Sequence, residues 1–314
     1  MKLKLEGIWT PIPTPLTKRG RIDTEATRRL VDFHIEAGID GLLPLGTSGE
    51  FALLQKEERN LLVKTVVEQA DRRVPVVAGV SDPSIENVLE LSKDAKEAGA
   101  DAVIATPPYY FTTTDEGHYQ HFKTISESID LPLMIYNIPE WTHSYVSPDT
   151  VQRLADEKLV VGMKYTEYNF LNLVRFLKAG RNRISIFTGS DAMAYSNLEL
   201  GGSGAIIGAA NVAPKIASKI FDNYRKGDLK GARESQDKLL PVIEALGVGK
   251  YPAALKEAMN IIGFPVGPLK EPLQPLSIPE KRLVEKLIQR GRLLRNGPSY
   301  SIGVGANAVR ERAL

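Results

Sequence analysis

The first 226 residues alternate between short apolar runs, rich in β-branched residues, and longer amphipathic segments. No other feature limits the possible folds as strongly. Runs at 7–11, 41–45, 74–79, 102–106, 133–136, 160–164, 185–188 and 204–207 read as strands. They are short and mostly unalternating, as strands buried on both faces of a parallel sheet are. Segments at 24–37, 55–70, 84–98, 115–129, 147–155, 167–177, 193–200 and 213–226 read as helices. In the first, Leu30, Phe33 and His34 fall at helical spacing before Gly38, a stop signal. In the third, Ser84 is an N-cap candidate, and Val88, Leu91 and Ala95 share one face before Gly99. The joints also repeat, since Ala37-Gly38-Ile39-Asp40-Gly41 returns as Ala98-Gly99-Ala100-Asp101-Ala102. Eight such units with no intervening domain predict an α/β fold, a (β/α)8 TIM barrel, with a doubly wound open sheet as the alternative.

After residue 226 the pattern turns all-helical, with segments at 229–246, 253–262 and 279–295. We read 1–226 as the barrel, 227–295 as a C-terminal helical extension and 296–314 as a tail without assigned role. The stretch 263–279 holds five prolines and predicts an extended connection over the surface. Lys and Arg total 40 against 38 Asp and Glu, a net charge of +2, which gives no footprint for nucleic acid or an anionic membrane. There is no cysteine, which excludes disulfides, thiolate metal sites, iron–sulfur clusters and a cysteine nucleophile, and fits a cytoplasmic protein. Four histidines give little to build a metal centre from, and His118 with His121 reads as helix packing. No signal-peptide run and no transmembrane window is visible.

In such a barrel, reactive groups gather where strands end and the βα loops begin. Lys164 follows Val160-Val161-Gly162-Met163, a run that should be buried. Taken alone, it reads as the start of a surface loop. Pointed inward, its amine would lose water, which favours the neutral form that attacks a ketone to give a Schiff base. Tyr136 ends the neighbouring strand, where its phenol can relay protons. Gly46-Thr47-Ser48-Gly49 offers two hydroxyls and free backbone N–H groups, a nest suited to a small carboxylate. Together these point to a ketoacid site. Gly201-Gly202-Ser203-Gly204 could cradle a phosphate but lacks a following cation, and Gly303-Val304-Gly305 has no strand before it.

At these residues the sequence resembles the dihydrodipicolinate synthase / N-acetylneuraminate lyase family of Schiff-base aldolases over roughly 6–295. The resemblance rests on Gly46-Thr47-Ser48-Gly49-Glu50, Thr106-Pro107-Pro108-Tyr109-Tyr110, Tyr136-Asn137-Ile138-Pro139, Gly162-Met163-Lys164 and Gly189-Ser190-Asp191. It implies that Lys164 forms the imine, that Tyr136 is the general acid/base, and that Thr47 and Ser48 hold the carboxylate of pyruvate. It implies that Tyr110 reaches a neighbouring subunit's site to join a relay with Thr47 and Tyr136, and that the Ile206 carbonyl faces the site. Gly189, Asp191, Thr166 and Trp141 fall among the implied substrate contacts. The implied assembly is a homotetramer, a dimer of dimers, and no cofactor or metal is implied for catalysis.

Three positions depart from the family pattern. Trp141 stands where the synthases usually carry an arginine that binds the aldehyde's carboxylate, and an indole cannot make that charge-assisted contact. Tyr165 stands where the family often has an acid, and Lys164-Tyr165-Thr166 resembles the lysine-x-threonine of sialic acid lyases. Ala192 replaces the acidic residue of those lyases. The expected activity is therefore a pyruvate-dependent aldolase, a lyase, acting on a 2-keto-3-deoxy sugar acid. The alternatives are a 4-hydroxy-tetrahydrodipicolinate synthase-like condensation of pyruvate with aspartate semialdehyde, or a dehydratase or hydratase-aldolase.

Overall fold

The computed structural model describes residues 3–291. Among them, eight parallel strands form one ring: β1 (Gly7–Pro11), β2 (Gly41–Leu43), β3 (Val77–Gly79), β4 (Ala102–Ala105), β5 (Leu133–Asn137), β6 (Gly162–Tyr165), β7 (Ser185–Thr188) and β8 (Gly204–Ile206). The order β2-β1-β8-β7-β6-β5-β4-β3 is closed by a parallel bridge between Leu42 and Val76. Between the strands run α1 (Thr24–Glu36), α2 (Lys56–Ala70), α3 (Ile85–Glu97), α4 (Asp115–Ser128), α5 (Pro139–Thr142), α6 (Pro148–Asp156), α7 (Phe170–Gly180) and α8 (Ala194–Glu199). After β8 come α9 (Ala209–Val212) and α10 (Pro214–Arg225), and then α11 (Leu229–Leu246), α12 (Ala253–Ile261) and α13 (Ile278–Arg290). This is the (β/α)8 barrel the alternation predicts. The tail at 296–314 and its glycine motif lie outside the described residues.

The repeated joint has a structural cause. Gly38 and Gly99 end their helices at φ 84° and 89°, a conformation glycine adopts without penalty. Two residues later, Asp40 donates its backbone N–H to the Ile8 carbonyl and accepts the Ile8 N–H on its carboxylate at 2.8 Å. Asp101 makes the same pair of bonds with Val76, also at 2.8 Å. Each aspartate thus fastens the start of its own strand to the strand before it.

Side chains alternate between two cores. Trp9, Leu43, Val77, Ile104, Met134 and Phe187 fill the barrel interior, with Trp9 and Phe187 edge to face at 5.8 Å. The other face of each strand packs under the helices, where Leu30, Leu62, Val88, Phe122, Leu154, Phe176 and Ile220 are buried. Most predicted helix ends hold to within a residue or two, and Ser84 caps α3 through the Asn87 N–H. The helix predicted at 167–177 starts later. Asn169 caps it, and Glu167 instead accepts bonds from the Tyr165 hydroxyl and Asn172.

The extension is fastened to the barrel by a buried ion pair. Lys256 of α12 meets Glu50 at 2.6 Å, with side-chain exposures of 4% and 0%. The Lys256 ammonium also donates to the carbonyls of Thr14 and Pro268 at 3.0 and 2.6 Å. Glu50 accepts the Lys270 N–H at 2.6 Å as well. Lys270 lies in the proline-rich stretch, which has no helix or strand until α13 and wraps back over the barrel as predicted. Leu16 joins it through the Val266 carbonyl at 3.0 Å. Removing one partner of such a pair strands a buried charge, a loss of about 3–5 kcal/mol. Lys256→Met should therefore lower the unfolding free energy measured in urea by about that amount, and a loss below ~1 kcal/mol would mean that Glu50 finds water there.

Buried titratable groups set a pH dependence. Burial lowers His34 from 6.5 to about 3 and His121 to about 4, and lowers His118 in the same direction. A depressed histidine adds stability above its unfolded value near 6.5 and loses it as pH falls toward the folded value. Burial raises Asp40 to about 6 and raises Asp191, and these two acids work the opposite way. Between pH 6 and 4 the two strongly lowered histidines, His34 and His121, outweigh Asp40, so unfolding takes up protons on balance. The urea midpoint should fall as pH drops from 6 to 4, and a flat midpoint would show that the histidines are hydrated in the folded state.

Candidate functional site

β5 and β6 pair with Tyr136 opposite Lys164, and β6 and β7 with Lys164 opposite Phe187. Register partners in a parallel sheet project to the same face, about 4.8 Å apart. Tyr136 and Phe187 belong to the interior cluster, so Lys164 is carried into the barrel as well and is only 4% exposed. The reading of Lys164 as the start of a surface loop is thereby excluded. Its Nζ donates to Tyr136 Oη at 3.1 Å and lies 4.3 Å from the centre of that ring. Space for the lysine comes from Gly189, the residue after β7. A Cβ there would collide with Thr166 Oγ1 and stand 2.8 Å from Lys164 Cε.

The turn after β2 brings the third member. Gly79 lets the exit of β2 pass close, because a Cβ there would collide with the Leu45 carbonyl. Leu45 itself takes φ 62°. Thr47–Gly49 then forms one tight turn, held by a 2.5 Å bond from Thr14 Oγ1 to the Gly49 carbonyl. Thr47 Oγ1 sits 3.0 Å from Tyr136 Oη. The phenol oxygen is therefore flanked by an amine and a hydroxyl, an arrangement that can pass a proton between them. Ser48 is buried, and its Oγ lies 2.6 Å from Tyr251 Oη.

The mouth holds the remaining predicted residues. Thr166 Oγ1 is buried without a hydrogen-bond partner among the described residues. Asp191 Oδ1 accepts the Ala209 N–H at 2.5 Å. Burial raises its carboxyl, against the lowering effects of that bond and of Lys164. Trp141 on α5 is 49% exposed, and its ring is edge-on to Tyr251 at 6.4 Å. Ile206 ends β8 opposite Trp9, inside the interior cluster. Tyr110 is not brought to Tyr136 within one chain. It is 84% exposed at φ 75°, with its ring against Phe111.

Other sequence candidates resolve into packing. His118 meets Ser144 at 2.9 Å, and His121 meets the Thr106 carbonyl at 3.2 Å. Gly201-Gly202-Ser203-Gly204 leads into the start of β8, at the opposite end of the barrel from Lys164, and Ser203 Oγ accepts the Ile186 N–H there. The sequence reading missed Tyr251 and Lys256. Lys256 had a faint signal, a charge beside Glu257 among Ala253, Ala254, Leu255, Ala258 and Met259. Tyr251 had none, since it is one aromatic residue before a helix that starts far along the chain.

The model of the Dihydrodipicolinate synthetase family matches residues 4–291. A 4-hydroxy-tetrahydrodipicolinate synthase from Thiobacillus denitrificans is 37% identical over 288 residues, 92% of this chain and 97% of that protein. One from Nitrosospira multiformis is 39% identical over 273 residues, 87% of this chain and 91% of that protein. Among solved structures, a prophage protein of the dihydrodipicolinic acid synthase family from E. coli K12, in complex with pyruvate, aligns with TM-score 0.88 at 32% identity. It covers 92% of this chain and 99% of that one. Dihydrodipicolinate synthase from Thermotoga maritima aligns with TM-score 0.87 at 36% identity, over 92% and 99% of the two chains. Among the described residues no helix is long and apolar enough to cross a membrane. With its motifs, its barrel and these relatives in agreement, the chain belongs to the dihydrodipicolinate synthetase family and is a pyruvate-dependent lyase of the imine-forming kind.

Proposed function

We propose that this protein condenses pyruvate with an aldehyde in the manner of a 4-hydroxy-tetrahydrodipicolinate synthase, with aspartate semialdehyde as the first aldehyde to test. The observation that carries the reading is the chain of contacts from Lys164 Nζ through Tyr136 Oη to Thr47 Oγ1, at 3.1 and 3.0 Å. The choice of product rests on the synthase names of the relatives at 37% and 39% identity. Those names favour the condensation over the sugar-acid cleavage first expected.

In this reading Lys164 attacks the C2 ketone of pyruvate and water leaves, which gives an iminium. Loss of a proton from the methyl carbon gives an enamine, whose carbon attacks the aldehyde; hydrolysis then frees Lys164. The iminium nitrogen takes up the developing charge, so the chemistry needs no metal or cofactor. Tyr136 moves the protons and Thr47 completes its relay. Ser48 binds the carboxylate. Gly189, Thr166, Asp191 and the Ile206 carbonyl line the aldehyde side. A homotetramer belongs to the same reading, with Tyr110 reaching the neighbouring subunit; its large exposure supports a contact between copies. A cytoplasmic location rests on the zero-cysteine composition.

Trp141 favours a second reading, an aldehyde without a carboxylate or a polyhydroxylated one, because no cation replaces the arginine at that position. Incubation with pyruvate and borohydride, followed by peptide mass spectrometry, should place the adduct on Lys164 and lose it in Lys164→Ala. An adduct on another residue would remove the mechanism. Pyruvate consumption with aspartate semialdehyde should exceed that with glyceraldehyde and other sugar aldehydes; the reverse order selects the second reading.

Gly189→Ala tests the space around the lysine. The added methyl displaces Lys164 or Thr166, so trapping at saturating pyruvate should fall by about tenfold or more, with a stability loss of about 1–3 kcal/mol from overpacking. Full trapping in Gly189→Ala would show that Lys164 has a second productive position.

A further inference from the structure

The turn at Thr47–Gly49 presents two adjacent hydroxyls with different partners. Thr47 Oγ1 is committed to Tyr136 Oη at 3.0 Å, inside the lysine's proton chain. Ser48 Oγ is the other hydroxyl, and it meets Tyr251 Oη at 2.6 Å. Tyr251 comes from the extension, immediately before α12, and its ring leans edge-on against Trp141. Gly208 leaves room for its hydroxyl, since a Cβ there would approach Tyr251 Oη to 3.3 Å.

A serine hydroxyl has one proton. If Ser48 donates it to tyrosine, nothing is left for a bound anion. If tyrosine donates to Ser48, the serine proton is free to point elsewhere. Burial holds the Tyr251 phenol above the ordinary tyrosine range; the Ser48 bond lowers it, and Asp191 and Tyr136 raise it further. The phenol therefore keeps its proton at neutral pH, with Ser48 Oγ within reach as an acceptor at 2.6 Å.

We propose that Tyr251 is a positioning residue for the ketoacid: by donating to Ser48 Oγ, it turns the Ser48 proton toward the substrate carboxylate. This rests on the pyruvate reading above. The extension then takes part in substrate binding, and the two hydroxyls divide the work. Thr47 serves the proton chain, and Ser48 serves the carboxylate.

The test measures how borohydride trapping on Lys164 depends on pyruvate concentration in wild type, Tyr251→Phe, Ser48→Ala and the double variant. Tyr251→Phe removes one oxygen and should raise half-saturating pyruvate about tenfold, the scale of one lost hydrogen bond to a charged group. The plateau of trapped Lys164 should stay within about twofold, because the lysine chain is untouched. Ser48→Ala should raise half-saturation at least as much. In the Ser48→Ala background, Tyr251→Phe should add less than about twofold, since both changes break one donor chain.

Equal effects of Tyr251→Phe with and without Ser48 would reduce the phenol to packing and overturn the proposal. An unchanged half-saturation in Tyr251→Phe would also overturn it. Should Tyr251→Phe fail to fold by circular dichroism, Ser48→Ala still decides, because unchanged half-saturation there removes the hydroxyl from carboxylate binding. Absence of any adduct in the wild-type protein would remove the pyruvate reading and this proposal together. A wild-type adduct with unmoved half-saturation in the variants removes the proposal alone.

Discussion

A closed ring of parallel strands buries each strand on two faces, and the remainder of this molecule follows from that constraint. Inside the ring, alternate side chains must fill a narrow space, which Trp9, Leu43, Ile104, Met134 and Phe187 do. Outside, the other face of each strand requires a helix, which fixes the βα repeat. Polar chemistry is admitted where the interior packing ends, at the C-terminal mouth. The same register that packs Phe187 beside Lys164 also sets Lys164 beside Tyr136. The Lys164–Tyr136 pair is thus a consequence of strand alignment, with each side chain held by a rigid element rather than by a loop.

The mouth needs a second set of constraints, and these come from the C-terminal extension. The turn at Thr47–Gly49 is short, and Glu50 after it takes a left-handed φ of 57°. Such a residue holds only when its surroundings determine it strongly. Lys256 and the Lys270 N–H occupy its carboxylate, so charge burial far along the chain determines the backbone next to the two site hydroxyls. Burial pulls the Lys256 amine below the ordinary lysine range, and Glu50 acts against that shift. The pair works as a clamp: neither partner is comfortable in the interior without the other.

The residues around the mouth rest on different elements. Lys164, Tyr136 and Gly189 lie in or beside strands, whereas Trp141 stands on the short α5 with about half its surface open. Replacing a guanidinium by an indole there removes a planar pair of donors and adds an apolar wall beside Tyr251. The two supports meet at Tyr251, which touches Trp141 on one side and Ser48 on the other.

Local patterning alone determined much of this protein. Apolar runs and helical faces are short-range properties, so the strands, most helix ends and the barrel class could be read directly, as could the interest of Lys164, Tyr136 and Thr47-Ser48. The repeated Gly and Asp joints were visible as a repeat, although their bonds to Ile8 and Val76 were not. The tertiary structure decided what depends on distance along the chain. It turned Lys164 inward through register with Tyr136, and it set Gly189 against the lysine's stem. It also brought Tyr251 to Ser48 and Lys256 to Glu50 across about two hundred residues. Those pairs leave no periodic trace in sequence. They exist because ring closure and the returning extension bury polar groups that must then find one another.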